Sequence, residues 1–94
     1  MFIDEFLWLP DIIEKLEVKH HVSQHEVEEV FFNAPKYRSV ESGHRPEEDV
    51  YSAGGQTDSG RYLIVFFIHK TRNTALILTA RDMDRRERKR YEQK

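Results

Sequence analysis

The sequence contains no cysteine among its 94 residues, and this absence excludes several kinds of site. Disulfide bonds, thiolate-bound metal centres and cysteine nucleophiles all require a thiol. No apolar run approaches the roughly 18 residues that a transmembrane helix needs. The N-terminal stretch also lacks the basic start and small-residue cleavage site of a signal peptide. We therefore expect a protein of the cytoplasm that has no membrane partner.

Motifs that hold cofactors are missing as well. The chain has no P-loop, dinucleotide fingerprint, HExxH motif or nucleophile elbow. His20, His21 and His25 lie close together in sequence, but a predicted helix begins between them and no acidic partner is placed beside them. Surface positions are favoured over a metal site, and we expect neither a metal nor an organic cofactor.

Charge is divided unevenly along the chain, although the net charge is only −2. Residues 1–50 carry 12 acidic and 5 basic side chains, whereas residues 81–94 carry 4 acidic and 7 basic ones. A basic C-terminal end can attract a phosphate backbone or an acidic partner segment. The ordinary alternative is a solvated helix face.

The longest apolar run, YLIVFFI at 62–68, lies in the second half of the chain. It is β-branched, aromatic and unbroken, which predicts a strand with both faces covered. A second run at 74–80 follows a polar gap of five residues, 69–73, which suits a hairpin loop. We expect this hairpin to form the floor of the core and to present Arg81 at the end of its second strand.

The elements before the hairpin are shorter. Residues 2–8 form either a short strand or an extended lead-in, and residues 10–18 read as an amphipathic helix that begins at a proline. Ser23 and Glu26 have the spacing of a capping box, which predicts a helix at 24–32.

A meander of short strands follows. Residues 36–41 and 49–53 predict strands, with a turn at 42–46 between them. Gly54-Gly55 and Ser59-Gly60 bracket a predicted loop before the hairpin.

Asp84 and Glu87 repeat the capping-box spacing, so the last helix is predicted to begin near Arg85. The order is two helices, three or four strands and a terminal helix. It predicts one α+β domain over 1–94, with helices packed on an antiparallel sheet.

A ribonuclease that works without a metal needs few groups. A base takes the proton of the RNA 2′-hydroxyl, a cation stabilises the pentavalent phosphate, and an acid protonates the leaving oxygen. The planar fork of Arg81 suits phosphate, histidine suits proton transfer, and Trp8 or Tyr91 can stack an unpaired base. These residue types occur in every domain, so they do not identify a nuclease by themselves.

Several short segments together resemble BrnT-type toxins, in the same order along nearly the whole chain. They are Phe6 and Trp8 for an early F-x-W, KHHVS at 19–23 with EVEEVFF at 26–32, GRYLIV at 60–65, and TAR at 79–81 with ER at 87–88 and YE at 91–92. The pattern differs at Leu9-Pro10, at His21 in place of glycine and at Asp82-Met83, which indicates a divergent branch.

The resemblance implies a RelE-like fold and a bacterial toxin that inhibits translation by cleaving RNA without a metal. It also implies a BrnA-type antitoxin as the neutralising partner. That partner carries a ribbon–helix–helix DNA-binding part, so the toxin would meet DNA only indirectly, through the antitoxin.

Catalytic roles follow from the same resemblance. Arg81 would stabilise the phosphate, with a salt bridge to Asp82 or Glu87 as the alternative. His20 with Lys19 would form a proton-transfer and charge pair, or else a solvated helix end. Glu87 would be an acid–base or arginine-orienting group, in addition to its role in the helix cap.

Four further residues are candidates for binding the substrate. Trp8 and Tyr91 would stack bases, although packing roles are open for both. Arg38 and His44 would lie on the rim of the site. If the chemistry is lost, the alternative function is an interaction module that binds an antitoxin-like partner and takes part in autoregulation of the operon. A general RNA-binding domain is a third possibility.

Overall fold

The computed structural model describes residues 1–43 and 48–93. Within these ranges the chain forms five strands and three helices. They are β1 (Glu5–Leu7), α1 (Pro10–Lys15), α2 (Gln24–Phe32), β2 (Lys36–Glu41), β3 (Val50–Gln56), β4 (Tyr62–Lys70), β5 (Thr74–Asp82) and α3 (Arg85–Glu92).

The strands form one mixed sheet in the order β1-β5-β4-β3-β2. The last four pair antiparallel, whereas β1 runs parallel to the start of β5 and places Glu5 opposite Thr74. The predicted α+β class is confirmed. The predicted sheet of three or four antiparallel strands is wrong in detail, because residues 5–7 add a fifth strand in parallel orientation.

Both predicted capping boxes are present. The Ser23 hydroxyl accepts a hydrogen bond from the backbone N–H of Glu26 at 3.1 Å, and the Glu26 carboxylate accepts one from the Ser23 N–H at 3.1 Å. Asp84 and Glu87 make the same reciprocal pair at the start of α3. These bonds satisfy N–H groups that have no partner within a helix, so α2 and α3 begin where the sequence predicts.

The helix predicted at 10–18 is shorter as an α-helix and continues in another form. After α1 the chain makes a π-helical turn, Leu16–His20, in which Leu16 is buried. His21 ends this turn in the left-handed conformation, with φ of 54°. Lys19 and His20, which follow the predicted helix, therefore belong to the helical turn.

One face of the sheet packs against α1 and α2 and encloses the core. Phe67 is fully buried there, and its ring lies 5.2 Å from that of Phe31 in an edge-to-face contact. Val30 of α2 and Val65 of β4 are fully buried in the same cluster. Each such apolar side chain contributes roughly 1.5–3 kcal/mol when it leaves water.

The second face of the sheet is only partly covered. Alternate residues of β4 from Leu63 to Phe67 are fully buried, whereas Ile64, Phe66 and Ile68 are half-buried. The predicted coverage of both faces is wrong for this second face, because α3 is short and buries none of its residues.

Neighbouring glycines mark the two faces of β3. A Cβ on Gly55 would lie 3.2 Å from Val30 of α2, whereas one on Gly54 would lie 3.2 Å from the Met83 methyl group beside α3. The prediction that these glycines open a loop is wrong. They continue β3, where close approach on each side leaves little room for a side chain.

Candidate functional site

A cleft of about 210 Å³ lies between α3 and the half-covered face of the sheet, and we call it the α3 cleft. Ser52, Gly54 and Ile64 form its floor, and Gly54 pairs directly with Ile64 across β3 and β4. Met83 and Tyr91 stand along its α3 side. The cleft therefore combines a sheet floor with a wall from the C-terminal segment.

Three cations surround the α3 cleft. Lys36 and Arg38 come from β2, where they pair with Gly54 and Ser52, and Arg90 comes from α3. The side chains of Arg38 and Arg90 make no hydrogen bond or ion pair within the described ranges, although the charge of Arg90 helps to lower the pKa of Glu87. Their charge is not compensated by direct contact, which makes the rim attractive to an anion.

Arg81 borders the cleft through a two-pronged pair with Glu87. Its Nη1 and Nη2 donate to the two carboxylate oxygens at 2.7 and 2.9 Å. The guanidinium also lies 5.7 Å from the ring centroid of Phe66. The salt bridge to Glu87 that the sequence left open is present, and Glu87 serves both the helix cap and Arg81.

Arg81 and Glu87 each stabilise the ionised form of the other. Hydrogen bonds from the Arg81 guanidinium hold the pKa of Glu87 below its ordinary value, although partial burial acts in the opposite direction. The Asp84 N–H contributes in the same direction as Arg81. The pKa of Arg81 is raised by the same contact. Glu87 is therefore an ionised carboxylate at neutral pH.

Polar and aromatic contacts hold the C-terminal end of α3 against the sheet. The Lys36 ammonium donates to the backbone carbonyls of Tyr91 and Gln93, and it lies 5.3 Å from the Tyr91 ring centroid. The Tyr91 ring also meets Tyr62 edge-on at 6.0 Å, and Arg88 stacks over Tyr62 at 3.9 Å. The wall of the cleft is therefore held by contacts that are exposed to solvent.

His20 belongs to a different network. Arg61 donates to the carbonyls of His20 and His21 at 3.1 and 2.7 Å, and its fork holds Asp82 at 2.8 and 3.1 Å. Successive residues of a strand point to opposite faces, so Asp82 points away from the side of Arg81. Within 1–43 and 48–93, no hydrogen bond or ion pair joins His20 to Arg81. Arg81 turns to Glu87 of α3, whereas the His20 carbonyl is held by Arg61 beside Asp82.

The remaining candidates are also divided. Arg38 and Tyr91 line the α3 cleft. Lys19 is exposed beside α1, in a shallow depression that Asp11 shares. Trp8 packs against the core and its indole N–H donates to Glu28 of α2 at 3.0 Å. The prediction for His44 falls outside the described residues.

Sequence reasoning missed seven of the ten lining residues, among them Lys36, Met83 and Arg90. Arg90 follows Glu87 by three positions in a predicted helix, so the two could have been placed on one face. Which face turns toward the sheet was not readable from the sequence, because α3 has only one apolar residue, Tyr91.

Two kinds of feature are absent from the described ranges. No helix in them is long and apolar enough to cross a membrane. No group of three or more histidine, cysteine, aspartate and glutamate side chains is arranged as metal ligands there.

The fold and the cleft define the class first: a small α+β protein with a cationic cleft beside its last helix. A family model described as the ribonuclease toxin, BrnT, of type II toxin–antitoxin systems matches residues 8–87. The chain therefore belongs to the BrnT family of ribonuclease toxins, as the resemblance predicted, and an antitoxin is its implied partner. No curated protein matches the chain.

Proposed function

We propose that this chain is an endoribonuclease toxin with a RelE-like fold that cleaves RNA without a metal and so inhibits translation in the bacterial cytoplasm. The observation that carries the proposal is the α3 cleft, where Arg38 and Arg90, whose side chains make no ion pair within the described ranges, stand beside the Arg81–Glu87 pair. Membership of a ribonuclease toxin family supports it independently.

The proposed reaction is an internal transesterification. The RNA 2′-oxygen attacks the adjacent phosphorus, the bond to the 5′-oxygen breaks, and the products are a 2′,3′-cyclic phosphate and a 5′-hydroxyl. The step needs a proton acceptor at the 2′-hydroxyl, a proton donor at the leaving oxygen and positive charge at the phosphate. No oxidant, reductant or further reactant is required.

The groups in the cleft can fill these roles. Glu87 is ionised and can accept the 2′-hydroxyl proton, while Arg81 orients it and stabilises the pentavalent phosphate. The hydroxyl of Tyr91 is a proton donor on the cleft wall, and Arg38 can hold a neighbouring phosphate.

The geometry favours these residues over the other candidates. His20 and Lys19 lie in or beside networks on another part of the surface, and Trp8 lies on the α2 side. Proton transfer by His20 remains a prediction that a His20→Ala variant tests directly. His20 takes part in no step of the reaction given above.

The test is induction in a bacterial host that lacks a neutralising partner, followed by cleavage assays with purified protein. We expect growth arrest from the wild type, and a loss of cleavage rate by roughly 10²–10³-fold in Arg81→Ala, as for removal of one transition-state donor. Arg81→Lys should stay strongly impaired because an ammonium does not reproduce the fork.

Arg86→Ala is the matched control, because Arg86 is an exposed cation of α3 that does not line the cleft. It should arrest growth as the wild type does. All variants are checked for folding by urea denaturation. Folded wild type that neither arrests growth nor cleaves RNA would refute the nuclease.

The neutralising partner is proposed as a BrnA-like antitoxin with a ribbon–helix–helix part that contacts operator DNA. We expect a short reading frame beside this gene that encodes a ribbon–helix–helix protein. Its product should form a complex with the chain and relieve the growth arrest. Failure of that product to bind would contradict this part of the proposal.

A second function has one observation in its favour. Arg81 and Glu87 neutralise each other in a closed pair, and structural ion pairs shift pKa values just as catalytic ones do. This suits a catalytically weak module that binds the antitoxin and contributes to autoregulation. Complex formation without RNA cleavage is the result that would select it.

A further inference from the structure

The floor of the α3 cleft is more apolar than phosphate chemistry requires. Below the ring of cations lie the backbone of Gly54, the Ile64 side chain and the Met83 thioether. Phosphate binding uses the charged rim, so this lower part is left without a role in the proposed cleavage.

The size of the cleft limits what the floor can take. Its volume of about 210 Å³ is below the range of roughly 300–1,000 Å³ that encloses a drug-sized ligand. One planar ring system fits this description, whereas a long peptide segment or a folded nucleic-acid element does not. Tyr91 gives the pocket an aromatic wall, and unpaired bases stack on such side chains.

We infer that the floor of the α3 cleft is a subsite for one unpaired RNA base whose adjoining phosphate lies on the rim cations. The inference rests on the proposed function and deepens it, because it adds base contact to a site otherwise argued from phosphate contact. A ribose joins the two parts, so a base in the floor places its own phosphate at the level of Arg38 and Arg90.

Gly54 lets the Met83 methyl group lie close to the backbone of β3. Its position faces the cleft, and an added Cβ would stand 3.2 Å from that methyl group and press on it. Gly55, the next residue, faces the core instead, where an added Cβ would lie 3.2 Å from Val30. A side chain added at Gly54 therefore enters the cleft, whereas one added at Gly55 enters the core.

The experiment measures binding to the purified full chain by NMR titration. The probes are the four ribonucleoside 3′-monophosphates and ribose 5-phosphate, which carries the phosphate and sugar without a base. At least one nucleotide should bind about 5- to 150-fold more tightly than ribose 5-phosphate, the range that base stacking provides. Equal affinity for all five probes would overturn the subsite.

Variants then locate the contact. Gly54→Val should remove the advantage of the nucleotide and leave the affinity for ribose 5-phosphate within about twofold, whereas Gly55→Ala should keep the advantage. Met83→Ala, which removes a side chain from the subsite rather than filling it, should weaken nucleotide binding in the same selective way. An unchanged preference in both Gly54→Val and Met83→Ala would rule out the floor.

The outcomes separate this inference from the nuclease proposal. Base-dependent binding without RNA cleavage supports the subsite and refutes the nuclease. RNA cleavage without base-dependent binding supports the nuclease and refutes the subsite. If nucleotides and ribose 5-phosphate bind alike while Gly54→Val weakens the antitoxin complex, the floor holds a partner's apolar side chain and the base subsite is wrong.

Discussion

At the scale of single residues, neighbouring side chains of β5 serve two separate ion-pair networks. Arg81 pairs with Glu87 on the face toward α3, while Asp82 receives the fork of Arg61 beside the end of the π-helical turn. The alternation of a strand separates these networks although their anchors are adjacent in sequence. Arg81 and Asp82 therefore act on opposite faces of the sheet although they are neighbours in sequence.

The Arg61–Asp82 pair gives a prediction about pH. The hydrogen bond from Arg61 holds the pKa of Asp82 below its ordinary value. A carboxyl whose pKa is lower in the folded state stabilises that state above the unfolded pKa, about 3.9, and loses this contribution as pH falls through the folded value.

We therefore expect Asp82→Asn to lower the free energy of unfolding at pH 7 by up to about 1 kcal/mol, the range for exposed pairs. The difference from wild type should shrink as pH falls below about 4. Urea denaturation between pH 3 and 7 measures it. A difference that is constant over this range would show that the pair does not carry the effect.

At the scale of elements, α2 and α3 begin with the same capping chemistry but are anchored differently. Val27, Val30 and Phe31 of α2 are buried, whereas α3 has no buried residue. Burial couples α2 to the whole fold, and its lack leaves α3 free to open as a separate unit.

Removing each cap should therefore have distinct effects. Ser23→Ala should lower the global free energy of unfolding by about 1 kcal/mol, because α2 unfolds only with the core. Asp84→Ala should speed amide hydrogen exchange in residues 85–92 while changing global stability by less than about 0.5 kcal/mol.

Hydrogen exchange and urea denaturation of both variants test this contrast. A loss of global stability from Asp84→Ala as large as that from Ser23→Ala would mean that α3 is part of the main cooperative unit. The cleft wall would then be rigid rather than separately mobile.

At the scale of the whole molecule, positive charge gathers on one side of the sheet. The helices α1 and α2 carry five of the acidic residues of the chain, and α3 carries five basic ones, of which Arg90 lines the cleft. This division favours approach of a polyanion from the α3 side and disfavours approach from the α2 side.

The division predicts how salt acts on RNA binding. For single-stranded RNA, the slope of log affinity against log salt should fall by about 0.7 for each phosphate-contacting cation removed. Arg38→Gln and Arg90→Gln should each show this reduction. Arg72→Gln should not, because Arg72 lies in the β4–β5 turn outside the cleft. Equal effects of all three variants would indicate diffuse binding.

Local chemistry accounts for the parts of the fold that the sequence predicted. The bounds of α2 and β2, and the start of α3, agree with the structure, since capping pairs and turn residues act over three or four positions. The prediction that a loop begins at Gly54 and Gly55 is wrong. These glycines lie within β3, where they allow close packing against Met83 and Val30.

The sequence by itself determined the α+β class, the two capped helices, the central hairpin and membership of the BrnT family. Only the tertiary structure decided that Arg81 turns to Glu87, that His20 stays with Arg61 and Asp82, and that Lys36 and Arg90 join the cleft. The physical reason is the distance along the chain over which each feature is determined. Helix caps and hairpins depend on residues that are near neighbours in sequence. The composition of a cleft instead depends on strand register and on the face that each helix turns to the sheet.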